Sequence, residues 1–459
     1  MTFDSVKSIF LVGVGGIGMS AIARYFNGLD KKVYGYDQTA TNLTDKLIEE
    51  GIQITFDDEV ANIPSEILKG ENVLAVYTPA ISDSNEILKT LNEANLKVLK
   101  RAEVLEQISK GRFTIAVGGT HGKTTVTAMI AHILNEADKD LVAFVGGIIT
   151  GYETNFISSG NASLMLVEAD EYDRSFHRLN PDLAVITSID HDHLDIYEDH
   201  ESMKESYLQF ASNIVEGGTL LVHERVSRLF ENACVNVESY AINQPANYSA
   251  ENIRIEEGCF VFDFISEKQK IENISLAIAG RHNVENAVVA IAVALKQGVD
   301  QVKITEALSS FQGIKRRFEF QIRTNDLVYI DDYAHHPKEI DACINAIKEL
   351  YPGKEITGIF QPHLYSRTRD FAKAFATSLD ALDEVILLNI YPAREQAIEG
   401  VSSNLILDKM NLRRKSIVKK EDLMDKLLQS DVEVLVTMGA GDIDSMVIPI
   451  REALLKSSD

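Results

Sequence analysis

Short apolar runs alternate with helical patterns along most of the chain. In the N-terminal part the run 8–14 precedes the helical pattern MSAIARYF, further strands are predicted at 31–37 and 72–80, and residues 97–109 close the unit. Strands that alternate with helices indicate a parallel sheet with helices on both faces. We therefore predict a Rossmann-like domain over residues 1–110.

The same pattern restarts in the middle of the chain. Residues 112–119 predict a strand, TTVTAMIAHILNEA an amphipathic helix, and residues 163–170 and 183–190 two further buried strands. Shorter alternating runs over 218–280, such as TLLVHE, CFVFDFI and ISLAIAG, favour antiparallel strands beside the parallel sheet. We predict a central, P-loop ATPase-like domain over 111–317 with added antiparallel strands.

A third set of strands follows the segment FQGIKRRFEF. Apolar runs at 327–334, 355–363, 384–393 and 432–441 are separated by helical segments. This pattern predicts a second Rossmann-like domain over 318–459. The fold class is therefore α/β, with three consecutive domains.

Composition restricts the possible partners. With 45 basic and 69 acidic residues the net charge is −24, which argues against a nucleic-acid polymer as a partner. The three cysteines, Cys234, Cys259 and Cys343, have no metal-ligand spacing and are typical of a reducing compartment. Because no run approaches the ~20 apolar residues that span a bilayer, we expect a cytoplasmic protein without a membrane partner.

A glycine-rich loop, GGTHGKTT over 118–125, lies between a predicted strand and a predicted helix. Val117 stands where the pattern G-x-x-x-x-G-K-[ST] has its first glycine, so this loop is shorter than the strict form. Backbone N–H groups, the positive end of the helix and Lys123 can still meet the phosphates, and Thr124 can offer its hydroxyl to Mg²⁺. The loop predicts a triphosphate site.

Acidic residues follow the two neighbouring strands. SLMLVEADEYD supplies Glu168, Asp170 and Glu171, and the next strand ends in DHDHLD. A P-loop needs an acid at the tip of a neighbouring strand to hold the metal. Mg²⁺ prefers oxygen ligands, whereas a zinc site would need a third nitrogen or sulfur ligand at a usual spacing. These acids predict a magnesium site.

A second glycine loop lies near the N-terminus. Gly13, Gly15 and Gly18 match G-x-G-x-x-G after a strand, and Asp37 ends the next strand, as in a dinucleotide site. A dehydrogenase is one interpretation, but any nucleotide diphosphate fits the same cradle, and a dehydrogenase leaves the other phosphate loop without a role. Two nucleotide sites in two domains favour a ligase that acts on a nucleotide-linked substrate.

The motifs together resemble those of the Mur ligases. GVGGIGMSAIA, GGTHGKTT, VEADEYD, DHDHLD, GRHNVENA, FQGIKRRFEF, DDYAHHP, FQPHLYSRTRD and YPAREQ carry the resemblance over essentially the whole chain. Within the family it is most similar to the branch that joins L-alanine to UDP-N-acetylmuramate. The resemblance implies a UDP-sugar-binding first domain, a central ATP-binding domain and a mobile C-terminal domain that closes on ATP and the amino acid.

The same resemblance implies the chemistry and its cofactors. ATP and Mg²⁺ are expected as cofactors, and UDP-N-acetylmuramate and L-alanine as partners, in an acyl-phosphate route that yields ADP and phosphate during peptidoglycan precursor synthesis. A monomer or weak homodimer is expected.

Site residues are carried over from the matching motifs. The residues expected at ATP are Gly119, Thr120, Gly122, Lys123, Thr124, Thr125, Asn283, Asn286, Arg317 and Asp332. Those expected at the UDP-sugar or the amino acid are Gly15, Gly16, Ile17, Asp37, Thr78, Ala80, Arg101, Tyr333, His335, His336, His363 and Arg367. Thr124, Glu168 and His193 are expected at magnesium, and Lys123, His193 and His121 in catalysis.

Three alternatives stay open at this point. A ligase that reattaches a recycled murein peptide to UDP-N-acetylmuramate would share both glycine loops and the magnesium acids. An NAD-dependent oxidoreductase would use the first loop alone. A non-catalytic nucleotide-binding regulator would not need the acids of the central domain.

Overall fold

The structure is a computed structural model that describes residues 3–94, 96–160, 162–190, 199–393, 395–428 and 432–457. Within these ranges the strands form three sheets, of five, ten and six strands in chain order. The predicted α/β fold class with three consecutive domains is thereby confirmed. No helix in the same ranges is both long and apolar enough to cross a bilayer.

The first sheet is parallel throughout, in the order β3-β2-β1-β4-β5. Its strands are β1 Ser8–Val12, β2 Lys32–Tyr36, β3 Gln53–Thr55, β4 Val73–Tyr77 and β5 Lys97–Lys100. The helices are α1 Ile17–Asn27, α2 Asn42–Glu49, α3 Ser65–Lys69, α4 Glu86–Glu93 and α5 Arg101–Ser109. The chain leaves β1 toward β2 on one side and reaches β4 on the other. The carboxyl ends of β1 and β4 therefore form a topological switch point, where α/β folds bind ligands.

The second sheet runs in the order β15-β14-β13-β12-β11-β10-β6-β9-β7-β8. Its strands are β6 Phe113–Gly118, β7 Leu141–Ile149, β8 Thr154–Ser158, β9 Leu164–Glu168, β10 Leu183–Ile186, β11 Thr219–His223, β12 Asn236–Ile242, β13 Tyr248–Glu256, β14 Cys259–Ser266 and β15 Lys270–Leu276. The helices are α6 Lys123–Glu136, α7 His200–Ser212, α8 Glu224–Ser227, α9 Arg281–Lys296 and α10 Gln301–Ser310.

The predicted antiparallel extension over 218–280 is only partly correct. β11 pairs parallel with β10 and with β12, so the antiparallel interpretation of TLLVHE is wrong. β12 also pairs parallel with β13. β13 and β14 are neighbours joined only by Glu257 and Gly258, both at positive φ, and a two-residue connection permits only an antiparallel hairpin. The antiparallel pair of β7 with β8 was not predicted.

The third sheet runs in the order β16-β17-β21-β18-β19-β20, with β16 antiparallel to β17 and the other pairs parallel. Its strands are β16 Glu319–Arg323, β17 Val328–Asp332, β18 Ile356–Phe360, β19 Glu384–Leu387, β20 Lys415–Ile417 and β21 Val434–Met438. The helices are α11 Pro337–Leu350, α12 Tyr365–Leu379, α13 Asn404–Leu407, α14 Leu423–Leu427 and α15 Asp444–Ser457.

The chain divides into two compact units. The first unit comprises the residues up to 253 with 262–275 and 285–311, and the second comprises 254–261, 276–284 and 312–459. The first two sheets share one hydrophobic core in the first unit. There α1 packs on the hairpin β7–β8, with the ring of Tyr25 5.8 Å from that of Phe144 and 6.2 Å from that of Phe156. The domain limits predicted at 110 and 317 stay predictions.

Candidate active site

The loop between β6 and α6 is shaped by two glycines. Gly119 has a φ of +131°, and a Cβ there would lie 2.0 Å from the Oγ1 atom of Thr187. Gly122 has a φ of +82°, and a Cβ there would lie 3.0 Å from the Oδ1 atom of Asn286. Only glycine adopts such a backbone without strain and leaves room for these neighbours. The loop therefore turns tightly into α6, with Asn286 beside it.

The end of β10 fastens this loop from the other side. The backbone N–H of His121 donates to the Oγ atom of Ser188 over 2.9 Å, and the Thr120 hydroxyl lies 2.8 Å from the same oxygen. Thr187 donates its hydroxyl to the carbonyl of His121. The Nε2 atom of His121 lies 3.7 Å from the Oδ2 atom of Asp190. The loop is thus fixed before any ligand arrives.

Lys123, the first residue of α6, is held by two acceptors. Its Nζ atom donates to the carbonyl of Gly119 over 2.6 Å and to the Oε1 atom of Glu171 over 2.8 Å. Glu171 is fully buried, and the Lys123 side chain is 13% exposed. Burial opposes the charge of Lys123, but the carboxylates of Glu171, Glu168 and Asp170 outweigh it and raise the pKa of the amine. Lys123 is therefore a fixed positive charge inside the loop.

Thr124 and Glu168 lie together at the carboxyl end of β9. The Thr124 hydroxyl donates to the Oε1 atom of Glu168 over 3.0 Å, and the Gly146 N–H donates to its Oε2 atom over 2.9 Å. Burial raises the pKa of Glu168, Lys123 opposes this, and Asp170 adds to it. A carboxylate and a hydroxyl beside a buried lysine are oxygen donors of the kind that Mg²⁺ prefers, so these residues fit the expected metal.

Several predicted site residues fall outside this description. His191, Asp192, His193 and Asp195, among them the predicted magnesium and catalytic histidine, lie outside the described residues. The part of the chain that the structure describes contains no group of three or more potential metal-ligating side chains.

Thr125, which is also predicted at ATP, follows Thr124 in the first turn of α6.

The acid of the first glycine loop contacts backbone N–H groups of its own loop. The Oδ2 atom of Asp37 accepts a hydrogen bond from the Gly15 N–H over 2.8 Å, and its Oδ1 atom accepts one from the Thr39 N–H over 3.1 Å. A Cβ on Gly13, whose φ is +86°, would lie 2.8 Å from the Cγ2 atom of Thr78. Asp37 therefore shapes the loop, and its place at the UDP-sugar stays a prediction.

The other first-domain candidates surround the start of α1. Gly16 is the N-cap residue and Ile17 the first residue of this helix, while Ala80 lies in the turn that follows β4. Arg101, the first residue of α5, donates from its Nη2 atom to the Oδ2 atom of Asp170 over 3.0 Å. A Cβ on Gly18 would lie 2.3 Å from the Nη1 atom of Arg101. The guanidinium therefore lies against the first turn of α1.

The second unit holds a separate group of predicted site residues. Asp332, at the end of β17, accepts hydrogen bonds from the N–H groups of Phe318 over 2.8 Å and Ala334 over 2.7 Å. Burial raises the pKa of Asp332 to about 6 against the attraction of Arg317. The guanidinium of Arg317 lies 5.0 Å from the ring centre of Tyr333. Asn283 also belongs to this unit and donates from its side chain to the carbonyl of Ala279 over 2.6 Å.

Glu339 holds the backbone of the two histidines that follow β17. Its Oε2 atom accepts the backbone N–H groups of His335 over 3.0 Å and His336 over 3.2 Å, and His336 caps α11. Burial lowers the pKa of His335, Glu339 opposes this, and Arg367 and Arg317 add to it. The rings of His335 and His363 are 6.1 Å apart, and Arg367 lies one helical turn beyond His363, 3.4 Å from its Nδ1 atom. These groups form a cluster of imidazoles and cations.

Three family models match successive parts of the chain. They are described as "Mur ligase family, catalytic domain" over residues 8–113, "Mur ligase middle domain" over 117–294 and "Mur ligase, glutamate ligase domain" over 316–441. A UDP-N-acetylmuramate–L-alanine ligase from Flavobacterium johnsoniae is 46% identical over 456 residues, 99% of each chain. One from Christiangramia forsetii is 46% identical over 453 residues, 98% of each chain. The chain belongs to the Mur ligase family.

Solved structures support the same assignment. A UDP-N-acetylmuramate–alanine ligase from Thermotoga maritima superposes with a TM-score of 0.80 at 27% identity, covering 98% of this chain and 99% of that one. A murein peptide ligase from Psychrobacter arcticus reaches a TM-score of 0.70 at 22% identity over 98% of both chains, which shows the fold alone. The predicted resemblance to the Mur ligases is confirmed.

The sequence patterns do not predict several residues of this candidate site. Thr187 and Ser188, which fasten the phosphate loop, lie in LAVITSID, and nothing in that segment distinguishes them from other strand-end residues. The pattern of acids predicts Asp170 and Glu171 only at the metal, whereas the two carboxylates accept hydrogen bonds from Arg101 and Lys123 respectively. Arg316 was also missed, although its doublet with Arg317 was a usable signal; it donates to the buried Asp331 over 3.1 Å.

Proposed function

We propose that this protein joins L-alanine to UDP-N-acetylmuramate in peptidoglycan precursor synthesis, with cleavage of ATP to ADP and phosphate. The arrangement of Lys123, Thr124 and Glu168 around a glycine loop at a helix start carries the proposal. The relatives that match almost the whole chain at 46% identity are named for this reaction, and they supply the substrate assignment.

The chemistry follows an acyl-phosphate route. The carboxylate of the sugar acid attacks the γ-phosphorus of ATP, ADP leaves, and the amine of L-alanine then attacks the acyl carbon and expels phosphate. The approach of a carboxylate to a triphosphate brings like charges together, so stabilisation of charge is the main catalytic requirement. Lys123 and the N–H groups at the start of α6 supply positive charge where these anions meet. Their fixed positions avoid reorganisation during the reaction.

Thr124 and Glu168 are the described residues that would hold magnesium. Bound there, Mg²⁺ would neutralise charge on the phosphate oxygens and align them for in-line transfer. The hydroxyl–carboxylate bond of 3.0 Å already places both donors together at the start of α6. His193 stays a predicted ligand of the metal.

Residues of the second unit are assigned to the amino-acid and ATP contacts. Tyr333, His335, His363 and Arg367 are proposed for the incoming amino acid, because cations and imidazoles can bind a carboxylate. Burial lowers the pKa of His335, which favours its neutral form. Cytoplasmic location and the monomer or weak homodimer stay predictions.

The test is coupled release of ADP from purified protein. ATP, Mg²⁺ and UDP-N-acetylmuramate are supplied with L-alanine, glycine, L-serine or the tripeptide L-alanyl-γ-D-glutamyl-meso-diaminopimelate. We expect ADP and phosphate in equal amounts, fastest with L-alanine and dependent on the sugar acid. Faster release with the tripeptide would assign the protein to murein peptide recycling. Absence of ADP formation with every acceptor, or an NADH absorbance change without phosphate release, would refute the ligase proposal.

A further inference from the structure

An ion pair joins the two glycine-loop domains within the first unit. Arg101 belongs to α5 beside the first sheet, and Asp170 follows β9 of the second sheet. Their Nη2 and Oδ2 atoms are 3.0 Å apart, and the two side chains are 21% and 36% exposed. The pair lies at the rim of a small cleft with Glu168, Ser175 and Phe176 in its lining. The carboxylate expected at magnesium therefore faces the same cleft as Arg101.

Asp170 is held rigidly by its own turn. Its Oδ1 atom accepts the N–H of Tyr172 over 3.1 Å. Its backbone carbonyl accepts the hydroxyl of Ser175 over 3.0 Å and the N–H of Phe176 over 3.2 Å. Because these bonds fix both the backbone and the carboxylate, Asp170 provides a stationary anchor for the guanidinium.

Arg101 is restrained from the opposite side by α1. The space over Gly18 that a Cβ would fill is taken by the guanidinium, with 2.3 Å between the Nη1 atom and that Cβ position. The first turn of a helix carries partial positive charge, which disfavours a cation there. The carboxylate of Asp170 compensates this repulsion. The Arg101 guanidinium and the positively polarised start of α1 therefore lie side by side at the rim of the cleft.

Asp170 occupies only part of the hydrogen-bonding capacity of Arg101. A guanidinium has five N–H donors, and the bond to Asp170 uses one of them. Among the described residues, no other hydrogen bond of the Arg101 side chain is seen. The remaining donors can bind an anion in a bidentate manner while the bond to Asp170 is kept.

We propose that Asp170 is a positioning residue for the nucleotide-linked sugar acid. It holds the Arg101 guanidinium against α1 so that its remaining donors meet an anionic group of that substrate. The inference rests on the proposed function, because it takes the sugar acid as the ligand of Arg101. Asp170 thus makes binding in the first domain depend on a residue of the ATP-binding domain.

The variant Asp170→Asn tests the proposal by steady-state kinetics. The amide keeps the size of the side chain but removes its charge, so Arg101 loses its anchor. We expect the KM for UDP-N-acetylmuramate to rise about tenfold, with kcat at saturating substrate within twofold of wild type. An unchanged or lower KM would overturn the proposal. A larger rise in the KM for ATP than for the sugar acid would place Asp170 at the phosphates and would also overturn it.

Arg178 provides a matched control. It forms ion pairs with Glu103 and Glu106 of α5 at 3.4 Å, and it lies in the 3₁₀ segment Tyr172–Arg178 that follows Asp170. Arg178→Gln therefore removes a contact between the same two segments away from Gly18. We expect wild-type kinetics from this variant. An equal rise in KM would mean that Asp170 acts only by joining the domains, which contradicts the proposal.

A double-mutant cycle separates positioning from a direct role. If Asp170 acts through Arg101, the effect of Asp170→Asn on KM should disappear in an Arg101→Gln background. A full additional effect in that background would refute the mechanism. The wild-type assay distinguishes failure of the proposed function from failure of this inference. A wild type that forms no ADP refutes the proposed function. An active wild type with unchanged kinetics in the Asp170→Asn variant refutes only the role of Asp170.

Discussion

Neutralisation of Glu171 is the sharpest test of how the phosphate loop works. Glu171 is fully buried and its Oε1 atom lies 2.8 Å from the Nζ atom of Lys123, which is itself only 13% exposed. Glu171→Gln keeps the shape and an acceptor oxygen but removes the charge. Glu168 then becomes the main carboxylate that attracts the lysine. We expect Lys123 to shift toward Glu168 and to compete with magnesium there.

The size of the effect follows from burial. Loss of one member of a buried ion pair typically costs about 3–5 kcal/mol of folding free energy. Gln preserves one hydrogen bond, and Glu168 and Asp170 still attract Lys123. We therefore expect the variant to lower the free energy of unfolding of the first unit by about 2 kcal/mol. The displaced lysine should also lower kcat about 30-fold, which corresponds to about 2 kcal/mol of barrier.

Two measurements and one control decide the matter. Urea unfolding, followed by a spectroscopic signal from the first unit, gives the change in the free energy of unfolding. ADP release at saturating substrates gives kcat. Glu153→Gln is the control, since Glu153 pairs with Lys46 at 3.1 Å between side chains that are 49% and 39% exposed. Such exposed pairs contribute about 0–1 kcal/mol. A Glu171→Gln variant with wild-type kcat and stability would show that the ion pair with Lys123 contributes to neither turnover nor folding.

Three further predictions concern other parts of the site. Lys123→Ala should lower turnover by at least ~10³, about 4 kcal/mol of barrier, in the ADP assay, and near wild-type turnover would remove its central role. Gly18→Ala places a Cβ 2.3 Å from the Nη1 atom of Arg101, so we expect a raised KM for the sugar acid with thermal stability unchanged; a lower melting temperature with normal KM would contradict this. Burial raises the pKa of Asp332 from 3.8 to about 6, so the folded state retains a proton that the unfolded state has lost between these values. The contribution of Asp332 to stability should therefore fall by about 2–3 kcal/mol from pH 4 to pH 7. Unfolding of wild type and Asp332→Asn at both pH values measures this difference, and curves that stay parallel would exclude it.

Features that depend on neighbouring residues can be predicted from the amino-acid sequence. The loop from Gly119 to Thr124 is contiguous, and the strand before it and the helix after it are enough to recognise it as a phosphate loop. The alternation of strands and helices likewise predicted three α/β domains, since hydrophobic periodicity depends only on neighbouring residues. The family followed from the combined motifs.

The pairing of charged groups, in contrast, depends on how whole strands and helices pack. The strand pattern alone does not distinguish Glu168, Asp170 and Glu171, which follow one strand. Packing brings them to Thr124, Arg101 and Lys123 respectively. The strand 219–223 is a second example, because a short apolar run does not indicate the direction in which it pairs. Its parallel pairing with β10 and β12 depends on the connections between the strands. Partners far apart in the chain meet only through the packing of whole elements, and local residue patterns do not encode that arrangement.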